Sequence, residues 1–257
     1  KIKKIIGVMS GKGGVGKSTV SALIAKNLRK RGYKVGVLDA DIIGPSIPRL
    51  LGVDKQRARA SEQYIYPAIT DDGIKVMSLN LLIEDEEQPV IWRGAMISNV
   101  VKQFYTDVLW EELDYLIIDM PPGTGDVALT VMQSIPINGV IMVTVPQDMV
   151  SMIVAKAVHM VKKLNIDVIG VVENMSYIKC PDCGKKIEIF KGEHNRKFLD
   201  DMNLNLIGQL PMNTGLGNVS LGIYNDGDEE VEGLFNPIVI NMIRSLEDKE
   251  KETSKSF

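Results

Sequence analysis

Seven short apolar runs, most of them rich in β-branched residues, recur along the chain with helical periodicity between them. They are IIGVM (5–9), VGVLD (35–39), IKVMSL (74–79), YLIID (115–119), GVIMVTV (139–145), VIGVVEN (168–174) and LIGQL (206–210). Runs this short, continuously apolar rather than alternating, are what strands covered on both faces require. The segments between them predict helices near 17–31, 95–107, 126–134, 149–163 and 194–202. This alternation predicts an α/β fold: a doubly wound, mostly parallel sheet of about seven or eight strands, flanked by helices and joined by right-handed crossovers. In such sheets ligands sit beyond the carboxyl ends of the strands, so the residues just after each run are where chemistry is expected.

A chain of 257 residues with 45% hydrophobic and 25% charged side chains can bury a continuous core without staples. A net charge of −3 gives no bulk electrostatic case for nucleic acid or an anionic membrane. No apolar run has the length of a membrane span, and the opening KIKKIIGVMS reads as neither span nor signal peptide, so a cytoplasmic protein is expected. One domain over 1–247 is expected, with two interruptions of the rhythm at 44–73 and 175–193. Apolar residues from Phe235 to Leu246 recur at helical spacing and predict a helix docked on the sheet. The charged stretch 248–257 is expected to be a disordered tail.

The first strand runs into SGKGGVGKST (10–19). Gly11, Gly16, Lys17 and Ser18 satisfy G-x-x-x-x-G-K-[ST] between a strand and a helix, the context in which backbone N–H groups cradle phosphates. Gly11, Lys12, Gly13, Gly14, Val15, Gly16, Lys17, Ser18 and Thr19 are therefore the expected nucleotide-binding residues. Lys17 would reach the β- and γ-phosphates, and the Ser18 hydroxyl would ligate Mg²⁺. Asp119, ending YLIID, is placed to hold that metal or its water. In DADIIGPS (39–46), Asp41 is the candidate to orient the attacking water and Asp39 to support Mg²⁺. The stretch MPPGTGD (120–126) suits a segment that responds to the γ-phosphate. One cation is surplus, because the motif needs Lys17 but not Lys12.

The loop GKGGVGKST resembles the deviant phosphate loop, KGGxGK[ST], of the MinD/ParA/Mrp class of P-loop ATPases. That resemblance implies that Lys12 crosses a dimer interface to phosphates bound by the other subunit, which places Lys12 beside Lys17, Asp41 and Asp119 among the catalytic candidates. The series DADIIGPSIP, IWRG (91–94), LDYLIIDMPPGTGD, TVPQD (144–148), GVVENMS (170–176) and CPDCG (180–184) is similar in order to Mrp/ApbC-type iron–sulfur cluster carriers, from about residue 3 to about 245. By the same likeness Asn174 reads the adenine edge. Two departures stand beside it: the cysteine-rich extension of some relatives and the small N-terminal domain of others are not expected ahead of the loop, and the loop after the seventh strand reads LPMNTG, which leaves the base contacts of Pro211 to Asn213 open.

Cys180 and Cys183 form a C-x-x-C that is compatible with half a zinc site, a redox dithiol or half an iron–sulfur site. Pro and Gly turning CPDCGK favour a metal knuckle over a helix-opening dithiol. Two thiolates cannot complete four ligands, and His194 reads as a surface or helix-start residue. Two chains about a two-fold axis would supply four cysteines, which suits Zn²⁺ or a [4Fe–4S] cluster; the family resemblance implies the cluster. The expectation is a homodimeric, slow, Mg²⁺-dependent ATPase that assembles an iron–sulfur cluster between its subunits and passes it to apo-proteins, with neither nucleic acid nor membrane as partner. The alternative is a MinD/ParA-like positioning or partitioning switch with structural zinc at the cysteine pair.

Overall fold

In a computed structural model of the chain, residues 1–42, 44, 46–82, 94–149, 151–188, 193–222 and 228–255 are described. Their elements, in chain order, are β1 (Ile2–Ser10), α1 (Lys17–Lys30), β2 (Val35–Asp39), the single turn α2 (Ile47–Leu50), the short strands β3 (Arg59–Ala60), β4 (Ile65–Tyr66) and β5 (Ala68–Ile69), and β6 (Lys75–Met77). Then come α3 (Gly94–Thr106), β7 (Leu113–Asp119), α4 (Asp126–Ser134), β8 (Gly139–Thr144) and α5 (Met152–Lys163). The chain continues through β9 (Val168–Lys179), β10 (Lys186–Glu188), α6 (Glu193–Asp201), β11 (Leu206–Pro211), α7 (Thr214–Ser220) and α8 (Glu229–Lys255). Of IWRG, only Gly94 falls within the described residues.

Nine strands form the main sheet in the order β10-β9-β8-β1-β7-β2-β6-β5, with β11 also paired to β9. The strands that the seven apolar runs predicted are mutually parallel; β5 and β10 run antiparallel at its margins. β1 lies between β7 and β8. The carboxyl ends of these neighbouring strands bring Ser10, Asp39, Asp119 and Thr144 to one edge of the sheet.

The pleat divides the core in two. Ile6, Val8, Val37 and Ile117 join a cluster with Val20, Ile24 and Leu28 of α1 and Phe235, Ile238 and Met242 of α8. Ile5, Met9, Leu38, Leu116 and Ile118 point the other way, onto Phe104 of α3, Val131 of α4 and Val154, Ala157 and Val161 of α5. Adjacent residues of one strand thus feed opposite layers, which is why the runs read as uniformly apolar. Glycines permit the closest approaches: a Cβ on Gly208 of β11 would lie 2.3 Å from Ile238 Cγ1 of α8.

Several boundaries differ from expectation, β1 and β7 beginning earlier, at Ile2 and Leu113. α5 starts at Met152 rather than 149, because Pro146–Asp148 forms a 3-10 turn and Ser151 caps the helix, its hydroxyl accepting from Val154 N–H at 3.3 Å. β6 stops at Met77, where Ser78 leads into another 3-10 turn. The insertion expected from 175 instead begins as five further residues of β9, folded back on β10. The disordered tail expected over 248–257 is corrected in most of its length: α8 continues to Lys255. Its Glu and Lys residues are good helix formers, and Lys249 pairs with Asp167 at 2.8 Å, Glu250 with Lys4, and Lys251 with Asp248. No described helix is long and apolar enough to cross a membrane.

Candidate functional site

The phosphate loop leaves β1 at Ser10, whose hydroxyl donates to the Lys12 carbonyl at 2.8 Å. Gly14 and Gly16 have φ of 80° and 85°, a left-handed geometry that glycine adopts without a Cβ penalty. Gly16 is the N-cap of α1, and no side chain caps the helix or places an acid in its first turn. The open amide groups there, with the helix dipole behind them, favour an anion. Gly11, Lys12, Gly13 and Gly14 lie on the outer rim, while Val15, Lys17 and Thr19 are buried and Ser18 is half-buried.

Lys17 and Ser18 converge on Asp119. The Lys17 ammonium lies 2.8 Å from Asp119 Oδ2, and Ser18 Oγ donates to the same oxygen at 2.6 Å. Ser21, one turn along α1, donates to Asp119 Oδ1 at 2.7 Å. Asp119 is wholly buried, so these charge-assisted bonds fix its orientation.

Asp39 is the second buried carboxylate. Its Oδ1 accepts from Asp41 N–H at 3.1 Å, and its Oδ2 from the backbone N–H groups of Ser46 and Ile47 and from Ser78 Oγ at 3.1, 3.2 and 3.3 Å. It thereby holds Asp41, Ser46 and Ile47 in place after β2. Burial first, then the neighbouring Asp119 charge, pushes Asp39 up to about 8, against the pull of Lys17. Asp41 is half-exposed, and its carboxylate accepts from Gly44 N–H at 3.3 Å. A hydroxyl and a carboxylate in contact at the mouth of an anion site, backed by a second carboxylate that resists ionisation, is a donor set of hard oxygens that fits Mg²⁺.

Lys12 lies in the ion pair Lys12–Asp148, 2.7 Å apart, at the end of TVPQD; its side chain stays half exposed. Beside it Met152 and Ile153 begin α5 with exposed side chains, and Ile153 packs so close to the loop that a Cβ on Gly11 would come within 2.8 Å of it. On the other side of the loop is a cavity of about 180 Å³, lined by Thr19, Asn174, Met175, Met212, Leu216 and Phe235 among others. Asn174 Nδ2 donates to the Val15 carbonyl at 2.9 Å and its Oδ1 accepts from Met175 N–H. One amide proton and one lone pair remain for a ligand. Pro211, Met212 and Asn213 also line the cavity, but Asn213 Oδ1 is committed to capping α7 through Leu216 N–H at 2.8 Å.

The cysteine pair lies at the tip of the β9–β10 hairpin. Cys180 N–H donates to the Lys185 carbonyl and Gly184 N–H to the Cys180 carbonyl, both at 2.9 Å, and Gly184 has φ of 69°. The backbone N–H groups of Cys183 and Asp182, then the Cys183 thiol, hold the Cys180 thiol below its ordinary value by favouring the thiolate. Cys183 is exposed and Cys180 partly so. Among the described residues no three His, Cys, Asp or Glu side chains are grouped to hold a metal. His194 is exposed at the start of α6.

A family model described as ParA, NUBPL iron-transfer P-loop NTPase, matches residues 1–231. The chain belongs to this family. An iron-sulfur cluster carrier protein of Clostridium perfringens is 54% identical over 222 residues, covering 84% of this chain and 78% of that protein. A nucleotide-binding protein from Archaeoglobus fulgidus, solved in complex with ADP, is 42% identical with a TM-score of 0.76, over 86% of this chain and 87% of that one. The MinD cell division protein of Aquifex aeolicus shares the fold at 19% identity, with a TM-score of 0.65 over 94% and 95% of the two chains.

Within this P-loop NTPase the phosphate-loop residues, Asp39, Asp41 and Asp119 gather at one sheet edge, with Asn174 against Val15. Cys180 and Cys183 are held apart from them at the end of β9. Sequence reasoning missed Ser21, Ser78 and Asp148, the polar partners of Asp119, Asp39 and Lys12, and the apolar cavity wall from α7 and α8. Ser21 was within reach, one helical turn after Lys17. The others are paired across 39 or more residues of sequence and leave no local signal.

Proposed function

We propose that this chain is an ATP-binding and ATP-hydrolysing carrier that works as a homodimer, assembles an iron–sulfur cluster between its subunits and transfers it to apo-proteins. The single observation that carries this reading is the isolated cysteine knuckle: two thiols, one of them biased toward thiolate, on a chain whose phosphate loop also has an unneeded second lysine. A second copy supplies both the missing pair of thiolates and a phosphate for Lys12 to reach. The exposed Met152 and Ile153 beside Lys12 give that contact an apolar margin. The carrier identity of the relative from Clostridium perfringens and the ADP held by the one from Archaeoglobus fulgidus agree with the two halves of the proposal.

Phosphates would take Lys17 from Asp119 and sit against the open amides of α1, with the adenine in the cavity beside Asn174. Ser18 and Asp119 would hold Mg²⁺, whose role is to neutralise charge building on the phosphates. Asp41, on the segment that Asp39 organises, is placed to orient the attacking water, and turnover is slow. Hydrolysis would alter the dimer, and with it the exposure of Cys180 and Cys183. The cluster itself, [4Fe–4S] by its four-thiolate set, is cargo; an open site shared by two subunits releases it more readily than a closed pocket. Free thiols of this kind suit the reducing cytoplasm.

Anaerobic reconstitution with iron and sulfide tests the proposal. One cluster per two chains is expected, with visible absorption lost in Cys180→Ala and Cys183→Ala and delivery to an apo-protein acceptor. Stoichiometric zinc binding without any cluster would sink the carrier role.

A further inference from the structure

The cysteine hairpin is tied to the sheet through one buried carboxylate that none of the chemistry above uses. Glu173 of β9 is 5% exposed. It accepts from Ser176 Oγ at 2.5 Å, from Gln209 Nε2 at 2.7 Å and from Asn195 Nδ2 at 3.0 Å. Gln209 Nε2 also reaches Ser176 Oγ at 3.0 Å, and Asn195 Nδ2 the Pro146 carbonyl at 3.1 Å. All three side-chain donors are neutral, so the carboxylate is the common centre on which they converge.

The positions of the donors matter more than their number. Ser176 lies on the arm of β9 that enters the hairpin, Asn195 on α6, which follows it, and Gln209 on β11, which pairs with β9. Both chain segments flanking Cys180 and Cys183 are therefore anchored to the same side chain. In a regular strand residues 173 and 176 face opposite sides. Met175 has φ of 53°, a left-handed conformation unusual for a non-glycine residue, and it reverses the alternation so that Ser176 meets Glu173. Asn174, the residue next to Glu173, faces the other way and holds the Val15 carbonyl of the phosphate loop; its Nδ2 lies 2.3 Å from where a Cβ on Gly16 would be. Phosphate loop, Asn174, Glu173 and hairpin form a contiguous chain of contacts along one strand. The six residue steps from Asn174 to Cys180 span about 20 Å at strand rise.

We propose that Glu173 is a positioning residue that couples the nucleotide site to the cysteine pair. By clamping the β9 arm of the hairpin and the helix that follows the hairpin, α6, to the strand that carries Asn174, it passes a displacement of the phosphate loop at Val15 on to Cys180 and Cys183, where the kink at Met175 would otherwise absorb it. The proposal rests on the reading that nucleotide state alters the cysteines.

The test is the rate at which iodoacetamide alkylates Cys180 and Cys183 in the reduced, metal-free protein, with no nucleotide, with Mg·ADP and with Mg·ATP. In the wild type the rate should change at least about fivefold between states, the lower end of site-to-site coupling. Glu173→Gln places an amide where three donors need an acceptor. It should abolish the difference while nucleotide affinity is unchanged, and Asn195→Ala, which frees only α6, should reduce it. If Glu173→Gln does not fold, Asn195→Ala and Ser176→Ala carry the test. A wild-type response in all variants that fold would overturn the proposal and reduce the cluster to packing. A wild type that binds nucleotide and carries a cluster but shows no response would overturn the coupling and leave the carrier reading standing. Failure of the wild type to bind nucleotide or cluster would instead sink the carrier reading, and the coupling with it.

Discussion

Asp39 shows how one side chain can be both structural and titratable. Its carboxyl stays protonated up to about 8, chiefly through burial and then through Asp119, whereas the unfolded chain ionises near 3.8. Between those values the unfolded state has released a proton that the folded state keeps. Folding therefore takes up a proton, and this group's contribution to stability, fully present below about 4, declines as pH rises through about 8. Thermal melting in EDTA without nucleotide should show an apparent Tm falling from pH 5 to pH 8, and Asp39→Asn should flatten that slope. Lys17 offers a second residue-scale prediction. Removing the charge-assisted phosphate contact proposed for it in Lys17→Ala should weaken ATP binding about 10- to 100-fold, as read by calorimetry. The motif made Lys17 legible because its spacing is a local constraint. Asp39 was legible as an acid after a strand, but its raised pKa was not, since that depends on complete burial and on Asp119 arriving from a strand 80 residues away.

At the scale of elements, the close seating of strands against their coverings leaves no room for a methyl group. A Cβ on Gly170 of β9 would lie 2.3 Å from Ile207 Cγ2 and 2.9 Å from the Asn205 carbonyl. Gly170→Ala should cost about 1–3 kcal/mol through overpacking, seen as a Tm loss of about 3 °C per kcal/mol. The end of α8 should behave oppositely. The ion pair that ties Lys249 to Asp167 is substantially exposed, so deleting residues 248–257 should cost less than about 1 kcal/mol in a denaturant titration. The seven parallel strands and most helices were legible in sequence to within a few residues, because apolar periodicity reports burial directly, whereas the short strands β3, β4, β5 and β10 carry no such signal. The extension of β9 beyond Asn174 was not. Ser176, Tyr177 and Lys179 carry no buried-strand signal, and the extension exists because Lys186–Glu188 pairs back upon it and Pro211 of β11 pairs with Tyr177.

At the scale of the whole molecule, the proposed dimer makes Lys12 its most informative position. Sedimentation should show dimers with Mg·ATP and fewer with ADP. Lys12→Ala should remain monomeric while binding nucleotide within a fewfold of wild type, because Lys17 and the α1 amides are untouched. An unchanged dimer fraction in Lys12→Ala would remove the trans role from that lysine. The chain's own order of residues determined the parallel sheet, the placing of phosphate-loop chemistry at its carboxyl edge and the identity of Lys17, Ser18 and Asp119, since each follows from patterns a few residues long. Tertiary structure alone decided that Asp148 holds Lys12, that α7 and α8 wall the cavity beside Asn174, and that Glu173 ties α6 to the strand entering the cysteine hairpin. Those contacts join segments from about 20 to more than 130 residues apart, and only closure of the sheet and its layers brings them within hydrogen-bonding or van der Waals reach.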